Sequence, residues 1–122
     1  MSEPSGILIV NKHVGVTSHD IVGSVRRLYG TRRVGHTGTL DPMASGVLVV
    51  LIGRAAKAAE YLVAESKRYR ACLRLGLTTD TEDSTGTVLT RTEQLPLPSE
   101  VLAVCETFVG EQMQIPDRKS VV

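Results

Sequence analysis

Gly46-Val47-Leu48-Val49-Val50-Leu51-Ile52-Gly53 is the most strand-like run in the chain. It is apolar on both faces, which predicts a strand at the centre of a sheet. Just ahead of it lies Gly35-His36-Thr37-Gly38-Thr39-Leu40-Asp41-Pro42, a glycine-rich loop with one carboxylate. A basic run, Arg26, Arg27, Arg32 and Arg33, leads into that loop. The fold question therefore turns on the apolar run, and the functional question on the loop beside it.

Outward from this centre, Gly6-Ile7-Leu8-Ile9-Val10 is a second apolar run, ending in Asn11-Lys12 and read as a buried strand. Ser18 is placed to cap a helix, with Asp20 favourably in its first turn. Ile21, Val22, Val25, Leu28 and Tyr29 recur at helical spacing, and Gly30 marks the stop. Residues 55–64 are alanine-rich and predict a helix. Residues 67–75 alternate, with Tyr69, Ala71, Leu73 and Leu75 on one face and Arg68, Arg70, Cys72 and Arg74 on the other. That pattern predicts a strand with one buried and one basic face. Residues 77–86 read as a polar loop, and 87–91 as a short returning strand. Pro96 and Pro98 break the chain before Ser99, which caps a last helix carrying Val101, Leu102, Cys105, Phe108 and Val109. The fold class expected is α+β, a mixed, largely antiparallel sheet flanked by helices.

The 122 residues fit one small domain or a piece of a larger one, and a hydrophobic fraction of 42% argues against disorder. With aromatics at 3%, the core must come from Val, Leu, Ile and Ala. No run approaches the ~18 apolar residues of a membrane helix, so no membrane partner is expected. Nothing at the start resembles an export signal, and two isolated cysteines point to reduced thiols, so a cytoplasmic location is expected. The net charge of +1 hides an asymmetry: 10 Lys and Arg against 5 Asp and Glu up to residue 70, then 4 against 8. The basic half holds the loop, and such an excess attracts phosphates. Solvation of helix faces accounts for the same charges equally well.

His13, His19 and His36 lack metal-ligand spacing and have no Cys partners, so no zinc is expected. Asp80 to Gly86 resembles a calcium loop only faintly, with its glycine one place late and Arg91 where a bidentate Glu belongs. A solvated acidic turn is the better reading. In the central loop, Gly35, Gly38 and Gly46 permit unusual backbone and close approach of a ligand. Pro42 biases Asp41 towards an extended or turn backbone, where its carboxylate is available as a nucleophile or base. Asp-Pro is also a common turn pair, and on these residues alone the turn reading is the commoner one. Gly35-His36-Thr37-Gly38 matches the G-x-x-G loop of KH modules, but that loop joins two helices and this one leads to Asp-Pro and a strand.

Residues 35–48 as a whole closely resemble the active-site motif of the TruB family of pseudouridine synthases. The resemblance continues in order over roughly residues 6–116. Gly6 to Lys12 with Gly15-Val16-Thr17-Ser18 resembles the family's N-terminal strand and loop. Lys67-Arg68-Tyr69-Arg70, Leu75-Gly76 and the stretch 79–86 resemble its second motif, and Gly110 with Gln114-Ile115-Pro116 the start of its third. Ala44-Ser45-Gly46 after the Asp-Pro resembles the bacterial tRNA branch rather than the guide-RNA branch.

The resemblance implies the N-terminal half of a pseudouridine-synthase catalytic core. It implies isomerisation of uridine 55 in the T-arm of tRNA, with tRNA as partner, no cofactor and a monomeric protein. Asp41 is then the catalytic carboxylate acting on the sugar. Tyr69 matches the residue that stacks on the flipped base, though a core-facing strand residue is its bland reading. His36 matches the histidine that positions the flipped nucleotide, and Gly38 and Thr39 belong to the loop that meets the substrate. Lys12, Arg32, Arg33, Lys67, Arg68 and Arg70 are implied phosphate contacts. Family members continue after Gln-Ile-Pro with Pro-x-Tyr-Ser-Ala-x-Lys, where this chain reads Asp117-Arg118-Lys119-Ser120-Val121-Val122. The expectation is a catalytic segment at 1–116 with a divergent tail at 117–122, truncated or frame-shifted. It would lack the later Tyr and the Arg that pairs with the catalytic Asp. Little turnover by the chain alone, and an exposed sheet edge with an uncovered apolar face, follow from that. The alternative is a non-catalytic RNA-binding module or RNA chaperone.

Overall fold

The computed structural model describes residues 2–62 and 66–115. The chain divides into two compact units, Met1–Arg70 and Ala71–Val122. The first holds strand β1 (Gly6–Lys12), helix α1 (Ser18–Tyr29), strand β2 (Val34–His36) and strand β3 (Gly46–Ile52). A 3₁₀ turn (Gly53–Ala58) runs on into the short helix α2 (Ala59–Leu62). The second unit holds strands β4 (Leu77–Thr79) and β5 (Val88–Arg91) and helix α3 (Pro98–Glu106).

The apolar run 46–52 is central, as its two-faced pattern predicts. β3 lies between β1 and β2 and pairs antiparallel with both. Gly6 to Lys12 oppose Ile52 to Gly46 in unbroken register, and Val34 to His36 oppose Ile52 to Val50. Leu48, Val50 and Ile52 share the inward face of β3 with Leu8 and Val10 of β1, and meet Val22 and Val25 of α1 and Val34 of β2. Each such side chain, taken from water, contributes roughly 1.5–3 kcal/mol. The opposite face is only partly covered: Leu51 is fully buried, whereas Ile7, Ile9 and Val47 are more than half exposed.

Helix α1 begins one residue from where the sequence suggests. Thr17 is the N-cap: its hydroxyl accepts from Asp20 N–H at 2.9 Å, and the Asp20 carboxylate accepts from Thr17 N–H at 2.9 Å. This reciprocal box satisfies two donors that the first turn would otherwise leave open. Gly30 ends the helix in the left-handed region at φ 63°. The apolar stripe is narrower than its spacing suggests, because Leu28 and Tyr29 are exposed.

Other expectations are corrected. β2 is a strand where only a loop was expected, since three residues are too few to display alternation. The helix expected at 55–64 starts at Gly53 as a 3₁₀ turn and is α-helical only over Ala59–Leu62, with 63 and 64 outside the described residues. Residues 77–79 pair with 88–91 in an antiparallel hairpin with an irregularity at Thr78 and Thr79. Thr78 and Thr90 hydroxyls meet across it at 2.6 Å. α3 starts at Pro98, not after a Ser99 cap; the Glu100 carboxylate accepts from Leu97 N–H at 3.1 Å. Proline suits that position because its missing N–H is one the first turn cannot use. Leu102 on the apolar side of α3 is exposed, and Phe108 and Val109, expected on the same helix, lie beyond its end at Glu106 and are exposed too.

The strand expected over 67–75 does not form: no residue from 66 to 75 belongs to a strand, and all of them are exposed. A strand exists only with a hydrogen-bonding neighbour, and none pairs with this segment among the described residues. The fold is α+β, with every pairing among the described residues antiparallel, so the mixed sheet expected is not seen. Among those residues no helix is long and apolar enough to cross a membrane. The boundary expected at 116/117 lies outside the described residues.

Candidate active site

The loop that leaves β2 and enters β3 carries the carboxylate. His36 closes β2 opposite Val50, and Thr37 N–H donates to Val49 carbonyl at 3.1 Å, prolonging the ladder by one residue. Thr37 is buried, Thr39 is exposed, and the chain then turns at Asp41, whose carbonyl accepts from Ala44 N–H at 2.9 Å. Gly46 restarts the sheet at φ 138°, a conformation that suits glycine. Gly35 and Gly38 have no positive φ, so backbone freedom is not their role here. At Gly38 a Cβ would meet only the Nζ end of Lys67, a flexible side chain that can move aside.

Asp41 is itself exposed, and its carboxylate has neither hydrogen bond nor ion pair among the described residues. Its neighbours on both sides are held. The Ser18 hydroxyl donates to Leu40 carbonyl at 3.2 Å and accepts from Leu40 N–H at 2.9 Å. Pro42 carbonyl accepts from Gly15 N–H at 2.8 Å and from Lys12 Nζ at 3.5 Å. The turn reading and the catalytic reading thus coexist: Asp41 heads a turn, and the turn leaves its carboxylate free.

Lys12 departs from its expected part. It is fully buried, and its ammonium also donates to His13 carbonyl at 3.0 Å and Val16 carbonyl at 2.8 Å. An ammonium has three donors, and all three are engaged with carbonyls, so none is left for a phosphate. The clue was in the sequence. Lys12 has the same parity along β1 as Leu8 and Val10, so its side chain points inward. Ser18 was legible in the same way, lying four and seven residues before Val22 and Val25 on the buried stripe of α1.

His36 is half-buried, and its Nδ1 accepts from Gly38 N–H at 3.3 Å. In the neutral ring that leaves the proton on Nε2, which becomes the donor available to a ligand. Arg68 and Tyr69 are exposed and lie outside regular structure. Lys67 ties their segment to the loop through its approach to Gly38, and two residues of chain span at most about 7 Å. Arg33 is 3.6 Å from Glu3 in an exposed ion pair. Arg26 donates to Val34 carbonyl at 3.4 Å, while its buried Nε has no partner among the described residues. In the second unit Asp83 accepts from Thr81 and Thr85 hydroxyls and from Thr85 N–H, the pattern of an internally bonded turn. No group of His, Cys, Asp and Glu suited to a metal occurs among the described residues.

Comparison with known proteins adds to this geometry. Residues 26–122 match the profile of the TruB family pseudouridylate synthase N-terminal domain. A Syntrophotalea carbinolica protein named tRNA pseudouridine synthase B is 50% identical over 113 residues, which is 92% of this chain and 37% of that protein. One of the same name from Geotalea uraniireducens is 47% identical over 112 residues, 91% of this chain and 36% of that protein. A third, from Mycobacterium tuberculosis strain H37Rv, is 49% identical over 118 residues, 96% of this chain and 40% of that protein. The chain thus spans about two fifths or less of these relatives. The profile match, over most of the chain and across the loop that carries Asp41, makes it a member of the TruB family.

Proposed function

We propose that this chain supplies the N-terminal part of the catalytic core of a tRNA pseudouridine synthase, which isomerises uridine 55 in the T-arm to pseudouridine. The observation that carries the proposal is Asp41, a free carboxylate on a turn whose two flanking residues are pinned. The reaction breaks the glycosidic bond, turns the uracil and joins C5 to the ribose. Asp41 acts on the sugar, as nucleophile or base. Holding it in place before substrate arrives removes an entropic part of the barrier. No atom is lost and nothing is oxidised overall, so the isomerisation needs no redox partner.

The target uridine must leave its stack, at a cost of a few kcal/mol that contacts to the extruded base offset. The exposed Tyr69 ring offers a stacking face for it. The Nε2 donor of His36 and the loop residues Gly38 and Thr39 receive the nucleotide, and Arg68 and Lys67 take phosphates on the way in. The T-arm, a monomeric protein and a cytoplasmic setting belong to the same reading.

The test joins residues 1–116 to the remaining sequence of the Syntrophotalea carbinolica relative and measures tritium release from C5-labelled tRNA uridine. Release is expected, and Asp41→Asn should abolish it. An Asp41→Asn protein that still releases tritium sinks the role given to Asp41. A second reading, a non-catalytic RNA-binding module, draws on the exposed basic stretch at Lys67, Arg68 and Arg70. It predicts salt-dependent tRNA binding by the 122-residue chain that survives Asp41→Ala, with no tritium release from the joined protein.

A further inference from the structure

We propose that the Ser18 hydroxyl is a positioning residue for Asp41, setting the direction from which the carboxylate meets the ribose. The proposal rests on the catalytic reading of Asp41 given above. Three observations lead to it. Ser18 is the first residue of α1 yet does not cap it, because Thr17 holds that role. It is only 2% exposed, so its hydroxyl has no recourse to water. A serine inside a helix can bond back to a carbonyl in the preceding turn, but at the first helical position there is no such turn. This one instead reaches 22 residues along the chain and bonds twice to Leu40, once as donor and once as acceptor.

Those two bonds act on different peptide groups. Leu40 N–H belongs to the peptide joining Thr39 to Leu40, and Leu40 carbonyl to the one joining Leu40 to Asp41. One hydroxyl therefore fixes both peptide planes that lead into Asp41. Beyond Asp41, proline fixes its own φ, and its carbonyl is held by Gly15 N–H. Helix α1 is anchored through Val22 and Val25 in the core, so the tether transmits the position of a rigid element to the carboxylate. Removing the hydroxyl leaves Leu40 N–H and carbonyl without their partner. The loop must then move towards water to satisfy them. A displacement of about 1 Å at a reacting group costs on the order of a hundredfold in rate.

The test has two arms. In the 122-residue chain, amide hydrogen exchange is followed at Leu40 and, as an internal reference, at Val50 in the core. Ser18→Ala should speed Leu40 exchange by about tenfold or more relative to Val50. In the joined synthase, Ser18→Ala should lower kcat by about tenfold or more with KM within about twofold. Thr17→Ala is the matched control: it weakens the same helix end without touching Leu40, and should leave kcat within about twofold. Unchanged Leu40 exchange overturns the proposal. So does a Ser18→Ala enzyme whose loss lies in KM, or whose kcat matches that of Thr17→Ala. Activity that persists in Asp41→Asn overturns the reading of Asp41 instead, and the tether is then judged by Leu40 exchange alone.

Discussion

β3 and the stretch 67–75 are both strand-like in sequence, and they end differently. β3 has a neighbour on each edge and is the best-buried part of the chain, with Leu48, Val50, Leu51 and Ile52 nearly or wholly out of water. Residues 67–75 alternate cleanly, yet Leu73 is 77% exposed and Tyr69 65% exposed, and no ladder forms among the described residues. Alternation states which face a strand would bury; it does not supply the neighbour that makes a strand.

Cutting into each region should separate them by stability. Leu48→Ala removes a buried side chain from the inward face of β3 and should cost about 2–5 kcal/mol. Leu73→Ala, at an exposed position, should stay within about 0.5 kcal/mol. Urea unfolding of the 122-residue chain measures both. Equal costs would mean that 67–75 is packed after all, and the contrast would fall.

The contrast also explains how much could be read in advance. β1, β3, β5 and the span of α1 were legible because local pattern and tertiary burial agree there. Strands β2 and β4 were not, since Val34-Gly35-His36 and Leu77-Thr78-Thr79 are too short to show a period. They exist because β3 and β5 offer edges to pair with. At the site, the catalytic reading of Asp41 draws on the whole motif rather than on its own chemistry, which a simple turn explains equally well. Lys12 was misread because its charge was weighed above its position. A lysine at an inward parity position is a structural group when carbonyls wait for it, and here three do.

That correction is itself testable, on a smaller scale than the core. Lys12→Met keeps the stem and removes the ammonium, leaving three carbonyls without their shared donor, and should cost about 1–3 kcal/mol. Its effect on tRNA binding should be small once the protein is folded. Lys67→Ala and Arg68→Ala should show the reverse, with stability nearly unchanged. Each should weaken tRNA binding and reduce the slope of log K against log salt by about 1 for each phosphate released. A change of salt slope in a folded Lys12→Met protein would return Lys12 to the phosphate contacts.

The smallest effect belongs to the cap at the start of α1. Asp20 has its pKa lowered from 3.8, first by the Thr17 N–H that donates to it and then by the Thr17 hydroxyl. A carboxyl whose folded value is depressed binds its proton more readily in the unfolded chain. Its contribution is therefore complete well above 3.8 and is lost as pH falls through the lower folded value. Asp20→Asn should narrow its stability gap from the parent chain as the pH is taken from about 6 towards about 2. The carboxylate is solvent-exposed, so screening keeps that gap small and added salt should shrink it further. A gap that widens on acidification would reverse the sign and show that the carboxylate is not the group holding the cap.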